Sequence, residues 1–222
     1  MTNLLPSVLV ETSEQPDAAV IWLHGLGSDG HDFESLVPAL TLKPELQVRF
    51  VFPHAPVRPV TINGGMEMRA WYDIYEMSID RKVDMVNIDE SCEQVEALIV
   101  DQINQGIAPE RIVLAGFSQG GVIAYQLALR TKYALAGVLA LSTYLVNKHT
   151  LPSAADCVNG KAPILIHHGS QDPVVVPSLA TQAREALLAQ GFQVEYQSYD
   201  MPHSVCPDQV VDISNWLNAR FA

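Results

Sequence analysis

Short β-branched runs alternate with longer stretches of helical periodicity along this chain. The strand candidates are residues 8–11, 19–24, 48–53, 112–116, 135–141, 164–168 and 194–199. Several of them, such as 112–115, are continuously apolar, which is typical of central parallel strands that are covered on both faces. The pattern therefore predicts βα units arranged around a mostly parallel sheet.

Helical periodicity fills the gaps between these runs, at residues 33–40, 89–106, 119–131, 178–190 and 208–221. In the second stretch, Asp89 and Glu90 place negative charge at the expected N-terminus, and Gly106 is expected to end the helix. The predicted fold class is α/β, with a mostly parallel central sheet flanked by helices on both faces. No repeat, linker or compositional break divides the chain, so we expect a single domain over residues 1–222.

Residues 54–87 interrupt the alternation of strands and helices. This segment contains Gly64 and Gly65 and is rich in large, soft side chains: Met66, Met68, Trp71, Tyr72, Tyr75 and Met77. A connection of this length inside a compact domain is usually functional. Methionine and aromatic residues also pack into cores more often than they contact a ligand, so both interpretations stay open.

The composition is that of a globular protein with a large core, since 48% of the 222 residues are hydrophobic and 17% are charged. There are 13 Lys and Arg residues against 25 Asp and Glu residues, a formal net charge of −12. Nucleic acids and anionic membrane surfaces are bound through clustered cations, and no basic run is present. We therefore expect no nucleic-acid partner and no action on acidic membrane surfaces.

The cysteines and the apolar runs bear on the compartment. Cys92, Cys157 and Cys206 are far apart and show no zinc-ligand spacing, so they are expected to be free thiols in a reducing environment, without a bound metal. The first residues lack the pattern of a secretory signal. The longest apolar run, 133–141, is shorter than the roughly 20 residues that span a bilayer. A cytoplasmic protein without stable membrane insertion is predicted.

The most informative motif is GFSQG at residues 116–120, a G-x-S-x-G sequence between an apolar run and a helical stretch. A strand, a sharp turn and a helix hold a serine hydroxyl exposed at the edge of a sheet. A serine hydroxyl is a poor nucleophile until a base accepts its proton. Ser118 is therefore the candidate nucleophile, against the alternative of an incidental serine in a turn.

A base and an acid are expected after the serine along the chain. His203 follows the last predicted strand, where a loop can bring its imidazole over the edge of the sheet. Asp172 follows the strand at 164–168, so that it would meet Ser118 and His203 at the C-terminal edge. Asp200 competes as the acid, but it would have to fold back on the turn that carries His203. We therefore favour Asp172 as the acid.

An oxyanion intermediate needs two hydrogen-bond donors, one after the nucleophile and one from an earlier loop. The backbone N–H of Gln119 opens the helix that follows Ser118. The backbone N–H of Leu26 lies in HGLG at residues 24–27, where glycines allow a bent backbone after a strand. These two N–H groups form the expected oxyanion hole.

With these parts in place, the chain resembles the small carboxylesterase family of α/β-hydrolases, which includes bacterial carboxylesterases, acyl-protein thioesterases and lysophospholipases. The resemblance is carried by WLHGLG (22–27), FPHAP (52–56), NGGM (63–66), RAWYD (69–73), GFSQGG (116–121), LALS (139–142), HGSQD (168–172) and PH (202–203). Relatives usually have glycine where this chain has Pro202, which implies a stiffer loop before His203.

The resemblance implies an α/β-hydrolase fold and a catalytic triad of Ser118, Asp172 and His203, with Leu26 and Gln119 as oxyanion donors. It implies no cofactor and no metal. It leads us to expect a serine carboxylesterase that hydrolyses esters with short-to-medium acyl chains through an acyl-enzyme. Thioester or lysophospholipid hydrolysis by the same triad is the alternative, and a catalytically silent binding protein is a third possibility.

The resemblance also implies where the substrate binds. In relatives, the stretch after residue 53 borders the pocket, so Trp71 with Met66 or Met68 is expected to contact an acyl chain, and Tyr144 is a further candidate. Between the predicted strands at 135–141 and 164–168 there is no room for a separate cap domain. The expected partner is a small-molecule ester or acyl-chain substrate, and the expected assembly is a monomer or a weak homodimer.

Overall fold

The computed structural model describes residues 4–76 and 81–222. Its strands are β1 (Ser7–Glu11), β2 (Ala18–Leu23), β3 (Val48–Pro53), β4 (Val57–Val60), β5 (Met66–Arg69), β6 (Ile74–Glu76), β7 (Lys82–Val83), β8 (Ile112–Phe117), β9 (Gly137–Leu141), β10 (Ile164–Gly169) and β11 (Val194–Tyr199). Seven of them form one sheet in the order β1-β3-β2-β8-β9-β10-β11. Only β1 runs antiparallel to its neighbour within this sheet, so the predicted mostly parallel sheet is confirmed.

The α-helices in the described part of the chain are α1 (Met85–Asn104), α2 (Gln119–Ala128), α3 (Pro177–Ala189) and α4 (Pro207–Arg220). The stretch predicted as a helix at 33–40 forms a 3₁₀ helix, Glu34–Ala39, which contains Pro38. Proline removes a backbone donor and disfavours the interior of an α-helix. Within the described residues, no helix has the length and apolar content that crossing a bilayer requires.

Helix α1 starts before the position predicted from its charges. Asp84, and not Asp89, caps it, because the Asp84 carboxylate accepts a hydrogen bond of 3.0 Å from the backbone N–H of Asn87. Such a cap satisfies one of the free N–H groups of the first turn. The helix ends at Asn104, and Gly106 follows with a φ of +96°, a conformation that favours glycine. The predicted helix was therefore correct in type but wrong in its first residue.

The irregular segment at 54–87 contains two small hairpins, which the sequence analysis did not predict. Strands β4 and β5 pair antiparallel around a turn with Gly64 and Gly65 at φ +69° and +76°. Strands β6 and β7 form the second pair, on either side of residues 77–80. Met77, part of the predicted cluster of soft side chains, lies outside the described residues.

Apolar side chains of the sheet alternate between two buried clusters. In β2, Val20 and Trp22 join the cluster that α4 and the 3₁₀ helix cover, while Ile21 and Leu23 join the cluster that α1, α2 and α3 cover. Successive strand residues point to opposite faces, so both faces of the sheet are buried. The prediction of helices on both faces is confirmed, whereas the single-domain organisation stays a prediction.

The order in which the strands are added to the sheet changes sides between β2 and β8. These strands are parallel neighbours, but β2 is followed along the chain by β3 on one side, whereas β8 is followed by β9 on the other. In open parallel sheets, ligands bind in the crevice beyond the carboxyl ends of two such strands. The residues that follow Leu23 and Phe117 therefore flank the expected binding crevice.

Two glycines let α2 begin directly against the ends of β2 and β8. A Cβ on Gly116 would lie 2.4 Å from the Gly120 carbonyl oxygen, and a Cβ on Gly120 would lie 2.4 Å from the Leu23 carbonyl oxygen. No side chain fits at either distance, because the obstructing atoms are backbone. The two glycines of G-x-S-x-G are thus required by packing between the helix and the sheet.

We predict that Gly120→Ala lowers the free energy of unfolding by about 3 kcal/mol or more, because the new methyl group overlaps backbone that cannot move freely. Gly64→Ala is the matched control, since Gly64 has φ +69° and no atom within 4 Å of an added Cβ. Its cost should be about 1 kcal/mol, from backbone conformation alone. Urea unfolding of both variants tests this, and equal losses would contradict it.

One buried histidine makes the fold sensitive to acid. His167 in β10 is 1% exposed, and its Nε2 lies 3.2 Å from the Tyr199 hydroxyl, which donates a hydrogen bond of 2.7 Å to Asp212. Burial lowers the pKa of His167 to about 4, although Asp212 acts in the opposite direction. The unfolded chain therefore binds a proton between pH 6.5 and 4 that the folded chain does not.

We predict that stability falls over this pH window by up to about 3 kcal/mol on account of His167. His167→Leu removes the effect. The unfolding free energy of the wild type minus that of the variant should therefore decrease as the pH falls from 7 to 4.5. Urea unfolding at several pH values measures the difference. A constant difference across that range would show that His167 does not carry the acid sensitivity.

Candidate active site

Ser118 occupies a strained turn between β8 and α2. Its φ of 52° and ψ of −118° are unfavourable for a residue with a side chain, at a cost of about 1–3 kcal/mol. The turn is held because the Ser118 N–H donates to the Leu141 carbonyl at 2.9 Å, while the Ser118 carbonyl accepts from the Thr143 hydroxyl at 2.6 Å. The strained turn leaves the serine partly exposed at the C-terminal edge of the sheet.

His203 and Asp172 form a direct pair at this same edge. The His203 Nδ1 atom lies 2.6 Å from Asp172 Oδ2, and the Asp172 side chain is completely buried. This bond leaves the His203 Nε2 atom free to accept a proton. The His203 ring packs against Phe117, the residue before Ser118, with 4.7 Å between ring centroids. The hydrogen bonds of the described residues include none between Ser118 and His203, a frequent situation in sites without substrate.

Asp172 is buried yet remains ionised. Burial raises the pKa of its carboxyl group, but hydrogen bonds from His203 and from the N–H groups of Val174 and Val175, at 2.8 and 2.9 Å, outweigh this and lower it. Asp200, the competing acid, accepts a hydrogen bond from the Gln171 amide at 2.5 Å. The structure thus brings His203 together with Asp172 and not with Asp200.

A second histidine, His168, packs against Asp172. This contact was not predicted from the sequence. His168 is fully buried, donates from Nε2 to the Val175 carbonyl at 2.7 Å, and lies 3.4 Å from Asp172 Oδ2. Burial lowers the pKa of His168, so the ring is neutral and holds the loop without a charge. The four-residue spacing of His168 and Asp172 was the available signal.

The two predicted oxyanion donors lie in segments next to Ser118. A Cβ added to Gly25 would lie 3.5 Å from Ser118 Cβ, which places the loop at 24–27 beside the nucleophile. The N–H of Gly27 donates to the Arg69 carbonyl at 2.8 Å, whereas the Leu26 N–H has no acceptor among the described residues. Gln119 is the first residue of α2, whose N–H lacks a partner within the helix. That both N–H groups bind a developing oxyanion stays a prediction.

The predicted pocket residues lie in different surroundings. Trp71 is completely buried and donates from its indole nitrogen to the His24 carbonyl at 2.9 Å. Met66 is 64% exposed on β5, and the Met68 sulfur would lie 3.7 Å from a Cβ on Gly27, beside the oxyanion loop. Tyr144 borders a cavity of about 350 Å³. Contact of these four residues with substrate stays a prediction, and for Trp71 the geometry favours packing.

The arrangement brings Ser118, the His203–Asp172 pair and the N-terminus of α2 to one edge of the sheet, which are the groups expected for acyl transfer. The described residues contain no group of three or more His, Cys, Asp or Glu side chains placed to hold a metal ion. The three cysteines are free thiols, and burial raises the pKa of Cys92 to about 12, so it is unreactive.

Comparison with known proteins shows similarity along nearly the whole chain. A sequence model of the phospholipase/carboxylesterase family matches residues 6–221. Acyl-protein thioesterase 1 of Neurospora crassa is 37% identical over 226 residues, covering 97% of this chain and 91% of the relative. Acyl-protein thioesterase 1 of Cryptococcus neoformans is 36% identical, covering 98% of each chain. The crystal structure of Zea mays acyl-protein thioesterase 2 superposes with a TM-score of 0.85 at 27% identity, covering 98% of this chain and 99% of that one.

We predict that Asp172→Asn lowers kcat for ester hydrolysis by about 10³–10⁴-fold, because an amide holds the imidazole in the wrong tautomer. Asp200→Asn, the matched control, should keep kcat within about threefold, since Asp200 lies outside the pair. Steady-state hydrolysis of a chromogenic ester by both purified variants measures this. If the Asp200 variant suffered the larger loss, the acid would be misassigned.

Proposed function

Because the chain belongs to the phospholipase/carboxylesterase family, we propose that it hydrolyses acyl thioesters with Ser118 as the nucleophile. Family membership confirms two predictions, the α/β-hydrolase fold and carboxylic ester hydrolase activity, and sets aside the reading as a silent binding protein. From the sequence alone, oxyester hydrolysis was the first expectation and thioester hydrolysis the alternative. The relatives named acyl-protein thioesterase 1, at up to 37% identity, favour the second.

In the proposed mechanism, Ser118 Oγ attacks the carbonyl carbon of the acyl group while its proton passes to His203 Nε2. Asp172 keeps the imidazole oriented through Nδ1 and stabilises the imidazolium. The negative charge that develops on the carbonyl oxygen accepts hydrogen bonds from the N–H groups of Leu26 and Gln119. The intermediate collapses to an acyl-serine and expels the leaving group, which takes up the proton from His203 as it departs or directly afterwards.

The second half of the reaction returns the enzyme to its starting state. His203 takes a proton from a water molecule as that water attacks the acyl-serine, and the same two N–H groups stabilise the charge that develops on the carbonyl oxygen. His203 then returns the proton to Ser118 Oγ as the fatty acid leaves. In the first half, an alcohol leaving group requires the proton on His203. A thiol has a pKa of about 8.5, so a thiolate leaves with much less need for that proton. The site geometry therefore supports both reactions, and the relatives named acyl-protein thioesterase 1 favour the thioester.

We predict a preference for the thioester in a comparison of substrates that share one acyl chain: decanoyl-cysteine in a short peptide, decanoyl-serine in the same peptide, and decanoyl lysophospholipid. The kcat/KM of the thioester should exceed those of the other two by about tenfold or more, each value corrected for the uncatalysed rate. A kcat/KM for the oxyester equal to or above that for the thioester would favour the carboxylesterase hypothesis. A kcat/KM for the lysophospholipid equal to or above that for the thioester would favour a lysophospholipase.

Ser118→Ala tests the nucleophile in the same assay. It should abolish turnover of all three substrates and labelling by a fluorophosphonate probe, with the fold intact by circular dichroism. Ser204→Ala, next to His203 but exposed, is the matched control and should behave as wild type. Hydrolysis that survives Ser118→Ala would refute the mechanism.

A further inference from the structure

Residues 69–72 are the last residue of β5 and the three residues that follow it. This segment contacts both parts of the expected oxyanion hole, the start of α2 and the loop at 24–27. Trp71 is its centre and has no exposed surface. All of its polar groups are bonded: its N–H to the Gln119 side chain, its carbonyl to the Ser91 hydroxyl, and its indole N–H to the His24 carbonyl. A tryptophan so completely satisfied is fixed in position.

On one side, the segment is joined to the start of α2. The Gln119 side-chain oxygen accepts from the Trp71 N–H at 2.7 Å, and its side-chain nitrogen donates to the Tyr72 carbonyl, also at 2.7 Å. The amide thus pairs with two successive backbone groups, and it is 2% exposed. The backbone N–H of this same Gln119 is the donor expected after the nucleophile.

On the other side, the segment holds the loop at 24–27. The Trp71 indole donates to the His24 carbonyl at 2.9 Å, and the Arg69 carbonyl accepts from the Gly27 N–H at 2.8 Å. The N–H of Leu26, the second expected donor, lies in the chain between these two contacts. Both donors are therefore attached to one short piece of backbone.

His24 completes this attachment from within the loop. Its ring packs on Trp71 with 5.3 Å between centroids, its Nδ1 donates to the Gly25 carbonyl at 2.7 Å, and its Nε2 accepts from the Ala55 N–H at 3.0 Å. Burial lowers the pKa of His24, which keeps the neutral tautomer that these two bonds require. The loop is thus held at its first residues by groups that carry no charge.

We propose that Trp71 and the Gln119 side chain are positioning residues that set the separation of the two oxyanion donors. The inference rests on the proposed function, since an oxyanion hole matters only if acyl transfer occurs here. The two donors come from loops that are more than 90 positions apart in the sequence. Donors stabilise an oxyanion only when held within about 0.5 Å of the right place, so a shared template is a physical requirement.

Trp71→Phe tests the proposal, because it keeps the buried ring but removes the indole N–H that holds His24. We expect kcat to fall by about 10–100-fold while KM changes by less than about threefold. Binding of a decanoyl trifluoromethyl ketone, which forms an oxyanion with the serine, should weaken by the same factor as kcat/KM. Binding of the matching secondary alcohol, which forms none, should stay unchanged. The pH profile of kcat should keep its shape, since the His203–Asp172 pair is untouched.

Trp216→Phe is the matched control. Trp216 is also buried, at 6% exposure, but it packs in the cluster under α4, and its indole nitrogen has no hydrogen-bond partner among the described residues. The same chemical change there should leave kcat and affinity for the trifluoromethyl ketone within about twofold of wild type.

Gln119→Glu is the second variant, in case Trp71→Phe does not fold. Its carboxylate still accepts from the Trp71 N–H but cannot donate to the Tyr72 carbonyl, and the same selective loss of kcat is expected. The proposal is overturned if either folded variant loses no more kcat than Trp216→Phe, or if both inhibitors weaken equally. Failure of the proposed function would appear differently, as turnover that persists in Ser118→Ala.

Discussion

The close approach of α2 to the carboxyl ends of β2 and β8 is the constraint on which the rest of the site depends. It places a strained Ser118 at the topological switch point of the sheet, with a helix N-terminus directly behind it. Neither glycine of the motif has space for a side chain, because carbonyl oxygens lie 2.4 Å from each Cβ position. The packing of α2 on the sheet, the strained backbone of Ser118 and the partial exposure of its hydroxyl thus all follow from this close approach.

The acid and the base illustrate how burial and charge are reconciled. A carboxylate without exposed surface is costly unless it is fully hydrogen-bonded. Asp172 meets this condition with two backbone N–H groups and the His203 imidazole, and neutral His168 braces the same loop. Gly169 lets the two loops meet, since a Cβ there would lie 2.3 Å from the Met201 carbonyl. The turn that carries His203 therefore packs directly against the loop that carries Asp172.

Local pattern sufficed for most of the sheet and for the strand, turn and helix that carry Ser118. The predicted limits of β3 and β11 are those observed, because β3 is a mostly apolar run and β11 alternates apolar and polar residues, and turn residues follow both. The start of α1 was missed because a single capping carboxylate, Asp84, decides it. The hairpins within 54–87 were missed because proline and glycine obscure their alternation. The sequence could not show whether Trp71 packs in the core or contacts a ligand, since the same residue types occur in both positions.

The dependence of the site on contacts between distant residues has a consequence for folding. Strand β8 inserts between β2 and β9, and the segment around Trp71 must dock on both the β2 loop and α2. Closing such long loops is slow, because chain entropy is lost before the contacts form. The candidate site therefore depends on contacts between distant parts of the chain, and no single local segment contains it. A chain that lacks these contacts holds neither the start of α2 nor the loop at 24–27 in place, so fragments of this protein are expected to be inactive.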